Sequence, residues 1–267
     1  MGKASEILNE SRKIVIKIGS QVLSNNEGLM DHDAVKNIAN QITSLIKSGK
    51  QVVIVSSGAE VSGVSAIGRW DKHGDLTYKQ AMCAIGQVEL MMEYKKHFLK
   101  NDLVVGQLLL SHQDFADNTK CLYIRNTLFT LLDEKVIPII NENDSVSVDE
   151  FSIGDNDTLA SLTSNLWNAD LLILMSDIDG LYDVSPKENK NATLIKEVYD
   201  IEKTMNNVDV SGKGKVGTGG METKIEAAKT VGKYGTSLLL VNGKTKDILT
   251  DIAKDERERK GTIFVAE

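Results

Sequence analysis

Short runs of Val, Ile and Leu recur along this chain, separated by segments of helical period, and that alternation restricts the fold more than any other feature. Strands are predicted at Lys13–Ile18, Gln51–Ser56, Leu103–Leu110, Val136–Ile140, Leu171–Ser176, Ser237–Val241 and Thr262–Val265. Most are continuously apolar rather than alternating, which is how strands covered on both faces read. Between the first two, Val35, Ile38, Ala39, Ile42, Leu45 and Ile46 recur at spacings of three and four. Asp31 stands where an N-cap belongs, and Gly49 where a left-handed residue ends the helix. Further helices are predicted after Ser57-Gly58 and at Leu76–Lys100, Leu122–Glu134, Asp157–Trp167 and Met221–Lys233. Repeated strand–helix–strand units require a mostly parallel sheet with helices on both faces, so the expected class is α/β. The stretch Tyr182–Gly220 is polar, Lys/Asn-rich and Gly-rich, and reads as a long surface loop.

Several function classes are excluded. A formal charge of −7 argues against nucleic acid or an anionic membrane as the main partner. No apolar run approaches the ~18–20 residues of a membrane span, and the first residues lack a signal peptide's apolar core, so a cytoplasmic protein is expected. Cys83 and Cys121 have no CxxC spacing and are expected to be free thiols. His32, His73, His97 and His112 occur singly, without metal-ligand spacing, and no Gly-x-Ser-x-Gly elbow is present. No metal-ligating residues are assigned.

Three segments carry chemistry. Gly212–Met221, followed by Glu222, Thr223 and Lys224, combines glycines able to close on an anion with the start of a helix whose positive end faces it. Its GxGxxG match has no strand before it and GxxxxGK[ST] does not fit, which excludes Rossmann and Walker A readings; a loop without function is the alternative. Lys17 interrupts an apolar strand that runs into Gly19-Ser20, and Val52–Ser56 runs into Ser57-Gly58, both at strand ends where open α/β sheets bind ligands. Between Asn141 and Asp157 lie Glu142, Asp144, Asp149, Glu150, Asp155 and Asp157, with no Lys, Arg or His. Such crowding repels unless a cation sits among the carboxylates; a solvated acidic loop is the alternative.

Together, Lys17–Ser20, Ser56–Ala59, Gly86-Gln87, Arg125–Thr127, Pro138–Asp144, Gly154–Asp157, Ser176–Tyr182 and Gly217–Lys224 resemble the glutamate 5-kinase family of the amino-acid kinase superfamily. The resemblance runs from about Lys13 to Val265 and implies one domain over 1–267, without the C-terminal PUA domain many members carry. It implies a three-layer sandwich around a mainly parallel eight-stranded sheet. The implied reaction is ATP plus L-glutamate to ADP plus L-glutamyl 5-phosphate, the first step of proline biosynthesis, with Mg2+ accompanying the nucleotide. It implies catalytic roles for Lys17, Lys224 and Asp157, and substrate contacts for Ser57, Asp144 and Asn156. Lys17, Ser176, Asp177, Thr218, Gly219, Gly220, Met221, Glu222, Thr223 and Lys224 are expected to hold ATP. A homo-oligomer, dimer or tetramer, and feedback inhibition by proline are further expectations. Asp144 would take the substrate ammonium, Ser57 carboxylate oxygens, and Asp157 would orient the lysines rather than touch phosphate.

The residue chemistry agrees. A carboxylate is already a nucleophile at pH 7, so phosphoryl transfer to it needs positioning and positive charge rather than a general base. Two departures from the family pattern stand out: Glu60 occupies a usually apolar position, and Ser176 replaces a commoner Thr. Residues 145–153 read as a hairpin arm or a partner contact. Kinases of acetylglutamate, carbamate, aspartate or UMP share the phosphate-binding parts, and a silent amino-acid sensor would have lost Lys17 or Lys224.

Overall fold

The strand Lys13–Ile18 (β1) sits at the middle of the molecule because its apolar side chains cover both faces. Ile14, Val15, Ile16 and Ile18 are fully buried, and Lys17 alone interrupts the run. The computed structural model describes residues 1–68, 75–146, 155–186, 189, 191–206, 208, 220–255 and 261–266. In chain order, α1 (Lys3–Glu10) precedes β1, followed by α2 (His32–Lys47), β2 (Gln51–Ser56), α3 (Ala59–Ile67) and α4 (Leu76–Phe98). Next come β3 (Val104–Leu110), α5 (Asn118–Asp133), β4 (Val136–Glu142), α6 (Asp155–Trp167), β5 (Leu171–Ser176), β6 (Leu181–Tyr182), β7 (Leu194–Ile195) and β8 (Glu197–Val198). The chain closes with α7 (Ile201–Met205), α8 (Met221–Gly232), β9 (Ser237–Asn242), α9 (Ile248–Lys254) and β10 (Thr262–Phe264).

Eight strands form one sheet in the order β3-β4-β2-β1-β5-β9-β10-β8, as the resemblance implied. All its pairings are parallel except β9 with β10. Successive side chains of a strand point to opposite faces, so β1 feeds two cores. Ile14, Ile16 and Ile18 join α2, α4 and α9 on one face, while Val15 joins α5, α6 and α8 on the other. The result is a three-layer sandwich.

Local chemistry explains the boundaries. Asp31 caps α2 by accepting from the N–H groups of Asp33 and Ala34, and Gly49 follows with φ +91, as the sequence predicted. Not every strand is covered on both faces: β3 is an edge strand, with Val104 56% exposed. Tyr182–Gly220 departs from the expected loop. Within it β6 pairs with β7, β8 docks on β10 as the eighth strand, and α7 forms a short helix capped by Asp200. Two- and five-residue elements are below the length at which hydrophobic periodicity carries a signal.

Helix crossovers place the site. The connection from β1 to β2 passes through α2 on one face, whereas that from β5 to β9 passes through α8 on the other. The carboxyl ends of β1 and β5 therefore flank the crevice where the winding direction reverses, which is where open α/β sheets take ligands.

Candidate active site

Lys17 follows Val15 by two positions and so shares the face that α6 covers. Its ammonium lies 2.6 Å from Oδ1 of Asp157, the third residue of α6. The other carboxylate oxygen is 3.2 Å from Nζ of Lys224, the fourth residue of α8. Thr223 Oγ1 lies 3.0 Å from that same Oδ2 and 2.9 Å from the Gly220 carbonyl oxygen. Asp157 is 1% exposed and Lys224 3%, so this is a buried trio on a single carboxylate. Burial alone would push the Asp157 carboxyl up, but Lys17 and Lys224 outweigh it and hold it below the ordinary carboxylate range. Position in the first turn of α6 adds to that preference, since a helix N-terminus favours negative charge. Within the trio, two ammonium groups against one carboxylate carry a net positive charge at the crevice.

One residue earlier on α6 the chemistry becomes neutral. Asn156 Nδ2 donates to Ser57 Oγ at 2.6 Å and to Asn141 Oδ1 at 3.1 Å. Asn141, on β4, also accepts from the Glu142 backbone N–H at 2.9 Å and donates through Nδ2 to Gln87 Oε1 at 2.8 Å. Asn141 and Asn156 are buried, Gln87 is 9% exposed, and Ser57 is half-buried at the end of β2. Gln87 and Gly86 come from α4, which crosses α3 without intervening side chains. A Cβ on Gly86 would overlap the Ala59 carbonyl oxygen, and one on Gly63 would overlap the Met82 carbonyl oxygen. Only glycine permits that approach of two helix backbones.

The remaining residues singled out from sequence are more dispersed. Ser176 donates to the neighbouring Asp177 carboxylate at 3.1 Å, beside Gly19, whose N–H donates to Met175. Asp144 is half-buried beyond β4, on the rim of a cavity of about 560 Å3 between α4 and the ends of β3 and β4. Gly220 is the N-cap of α8, and no side chain among the described residues caps the first turn that Met221, Glu222 and Thr223 begin. Thr218, Gly219, Gly154, Asp149 and Glu150 lie outside the described residues, as do residues 147–153 of the suggested arm. Glu60 is in the first turn of α3. The predicted trio Lys17, Asp157 and Lys224 is thus brought together, and so is the pair Ser57 and Asn156.

Gln87 and Asn141 had no role assigned from sequence. Gly63 and Gly86, two glycines inside helical segments, signal the close crossing that positions α4, but nothing local marks the amides themselves. Nor do all the histidines stand alone: His97 Nε2 lies 2.8 Å and His32 Nδ1 3.3 Å from the buried Glu93 carboxylate. Burial would raise the Glu93 carboxyl, yet Lys96 and the two histidines together hold it below its usual value. Cys83 is buried and Cys121 half-buried, and the two are not joined in a disulfide. Among the described residues no helix is long and apolar enough to cross a membrane.

The profile of the amino acid kinase family matches residues 12–242. A protein of Alkaliphilus oremlandii named glutamate 5-kinase is 52% identical over 98% of this chain and 99% of its own. One of the same name from Alkaliphilus metalliredigens is 54% identical over 98% of both chains. Among solved structures, a UMP kinase from Bacillus anthracis superposes with a TM-score of 0.67, covering 96% of this chain and 97% of that one. At 17% identity, that likeness speaks for the fold alone.

Proposed function

The chain belongs to the amino acid kinase family, and from its 52% and 54% identity to two proteins named glutamate 5-kinase we propose that it transfers the γ-phosphoryl group of ATP to the side-chain carboxylate of L-glutamate. The products are ADP and L-glutamyl 5-phosphate, and the step opens proline biosynthesis. The observation that carries the reading is the adjacency of a two-lysine centre and a neutral amide–hydroxyl pocket at the consecutive residues Asp157 and Asn156. Phosphoryl transfer to a carboxylate needs both: charge for the moving phosphoryl group and directional donors for the acceptor.

In the reaction, a side-chain carboxylate oxygen of glutamate attacks the γ-phosphorus. The new P–O bond forms as the bond to the β,γ-bridging oxygen breaks, and ADP leaves with that electron pair. Lys17 and Lys224 offset the negative charge of the phosphoryl oxygens, while Asp157 holds their two ammonium groups at fixed positions without approaching phosphate. The first turn of α8 and the Ser176-Asp177 pair flank the nucleotide. Ser57 donates to a glutamate carboxylate, and Asp144 pairs with the α-ammonium, a charge-assisted contact. Mg2+ would arrive with ATP and would screen its phosphates.

The test is ATP- and Mg2+-dependent acyl-phosphate formation, trapped with hydroxylamine, across glutamate, acetylglutamate, aspartate and carbamate. Glutamate is expected to give the highest kcat/KM. Acetylglutamate ahead of glutamate would overturn the substrate assignment, because an acetylated amine has no positive charge for Asp144. Tight glutamate binding without turnover would point to a sensor.

A further inference from the structure

The amide network beside the lysine centre has a direction, and that direction is imposed from one end. A backbone N–H can only donate, so the Glu142 N–H fixes the neighbouring atom of Asn141 as its oxygen, Oδ1. The Asn141 amino group must then face Gln87, which meets it with Oε1. On the other side, the same Asn141 oxygen receives Nδ2 of Asn156, and that nitrogen also donates to Ser57 Oγ. Ser57 is therefore an acceptor from the protein, and its own proton is left for whatever sits in the pocket. A hydroxyl oriented as donor suits a carboxylate, which accepts only.

We propose that Gln87 is a positioning residue for the acceptor substrate: by accepting from the Asn141 amino group it secures the orientation that the Glu142 N–H sets, which keeps Asn156 a donor and Ser57 a hydrogen-bond donor toward a glutamate carboxylate. The proposal rests on the glutamate kinase reading and extends it to a residue two hydrogen bonds removed from Ser57's own partner. Gln87 is well placed for this. The Gly63–Gly86 contact locks α4 onto α3, and α3 begins two residues after Ser57, so no flexible side chain separates the two ends of the relay. Gln87 also has a buried Nε2 with no protein partner among the described residues, while its oxygen is engaged. A helix would not bury an amide half-satisfied without return, since such a group costs free energy; the return here is the orientation of Asn141.

Removing the Gln87 oxygen leaves the Asn141 amino group buried and unpaired. To recover a partner Asn141 must shift its amide away from the Glu142 N–H and Asn156, and that weakens the acceptor geometry that keeps Asn156 Nδ2 aimed at Ser57. The effect should appear in acceptor binding and not in ATP binding, because the hydrogen bonds of the relay run through amide and hydroxyl groups, whereas Lys17 and Lys224 are held by the Asp157 carboxylate.

The experiment compares the wild type, Gln87→Met, Gln87→Glu, Ser57→Ala and the Gln87→Met/Ser57→Ala double variant by hydroxylamine-trapped turnover. Gln87→Met should raise the glutamate KM roughly ten-fold, the effect of one unpaired buried donor, with the ATP KM unchanged. Gln87→Glu keeps an acceptor oxygen for Asn141 and should return the glutamate KM to within about three-fold of wild type. In the Ser57→Ala background the Gln87→Met change should have a clearly smaller further effect, since only the Asn156 end of the relay then remains. An equal KM rise with and without Ser57, a parallel rise in the ATP KM, or no change in Gln87→Met would each overturn the proposal. Should Gln87→Met fail to fold, Gln87→Glu decides alone: a glutamate KM raised ten-fold or more contradicts the relay. A wild type unable to phosphorylate glutamate would instead remove the kinase reading on which the relay depends.

Discussion

The lysine centre and the amide relay meet at consecutive residues of α6, yet they hold their side chains by different physics. In the centre, one buried carboxylate fixes two long cationic chains, and the directing force is charge. In the relay, four uncharged groups are fixed by who can donate to whom, and the directing force is a single backbone N–H. Charge acts over distance and tolerates a few tenths of an ångström. Hydrogen-bond polarity is short-ranged and fails all at once when one member turns. The two should therefore break differently: the centre through turnover, the relay through acceptor affinity.

The largest effect is expected on the charged side. Lys224→Ala removes one of the two ammonium groups proposed to offset phosphoryl charge and should lower kcat by about 10²–10³-fold, the scale of losing one preorganised donor. Folding should survive, because Asp157 keeps Lys17, and circular dichroism with thermal melting checks that. Asp157→Asn strikes both cations together. It leaves two buried or half-buried ammonium groups without their counter-charge, and should cost about 3 kcal/mol of stability along with activity. The pH dependence has a definite sign. The Asp157 carboxyl lies below its unfolded value, ordinarily about 3.9, so the unfolded chain binds protons more readily in that range. Its contribution is fully present above about pH 4 and is lost as pH falls through the native value. Denaturant unfolding should thus show the Asp157→Asn penalty in full at pH 7 and find it shrinking steadily as the pH is lowered below about 4. An equal penalty throughout would mean that the variant fails by packing rather than by charge.

A smaller change is expected on the substrate side. Asp144→Ala should raise the glutamate KM roughly ten- to a hundred-fold, the range of a lost charge-assisted hydrogen bond, with kcat nearly kept. A matching fall in kcat would tie Asp144 to the transition state and blur the division between the two regions.

The same contrast explains what could be read from the sequence. Central strands were legible because β1, β2, β5 and β9 are continuous apolar runs, and α2 because its cap and its terminal glycine bracket a clean period. Lys17 announced itself by standing in an otherwise apolar strand, so its placement against Asp157 had a visible cause. β8 and α7 were not legible: a two-residue strand acquires its identity from β10, which contributes the hydrogen bonds. The antiparallel turn of β10 against β9 likewise depends on how the last helix returns the chain. The relay was hidden for a related reason. Its bonds join residues 54, 15 and 99 apart in sequence, on α4, β4, α6 and the end of β2, and each amide is unexceptional by itself. Pairwise placement creates the polarity, and no local pattern encodes it.

The division of labour is most directly tested by measuring kcat and the glutamate KM of Lys224→Ala and Ser57→Ala side by side, at saturating ATP and Mg2+. The expected result is a split: Lys224→Ala loses turnover with its glutamate KM little changed, and Ser57→Ala loses glutamate affinity with its turnover little changed. If both variants shift the same parameter by the same factor, the two regions act as one unit and no such division exists.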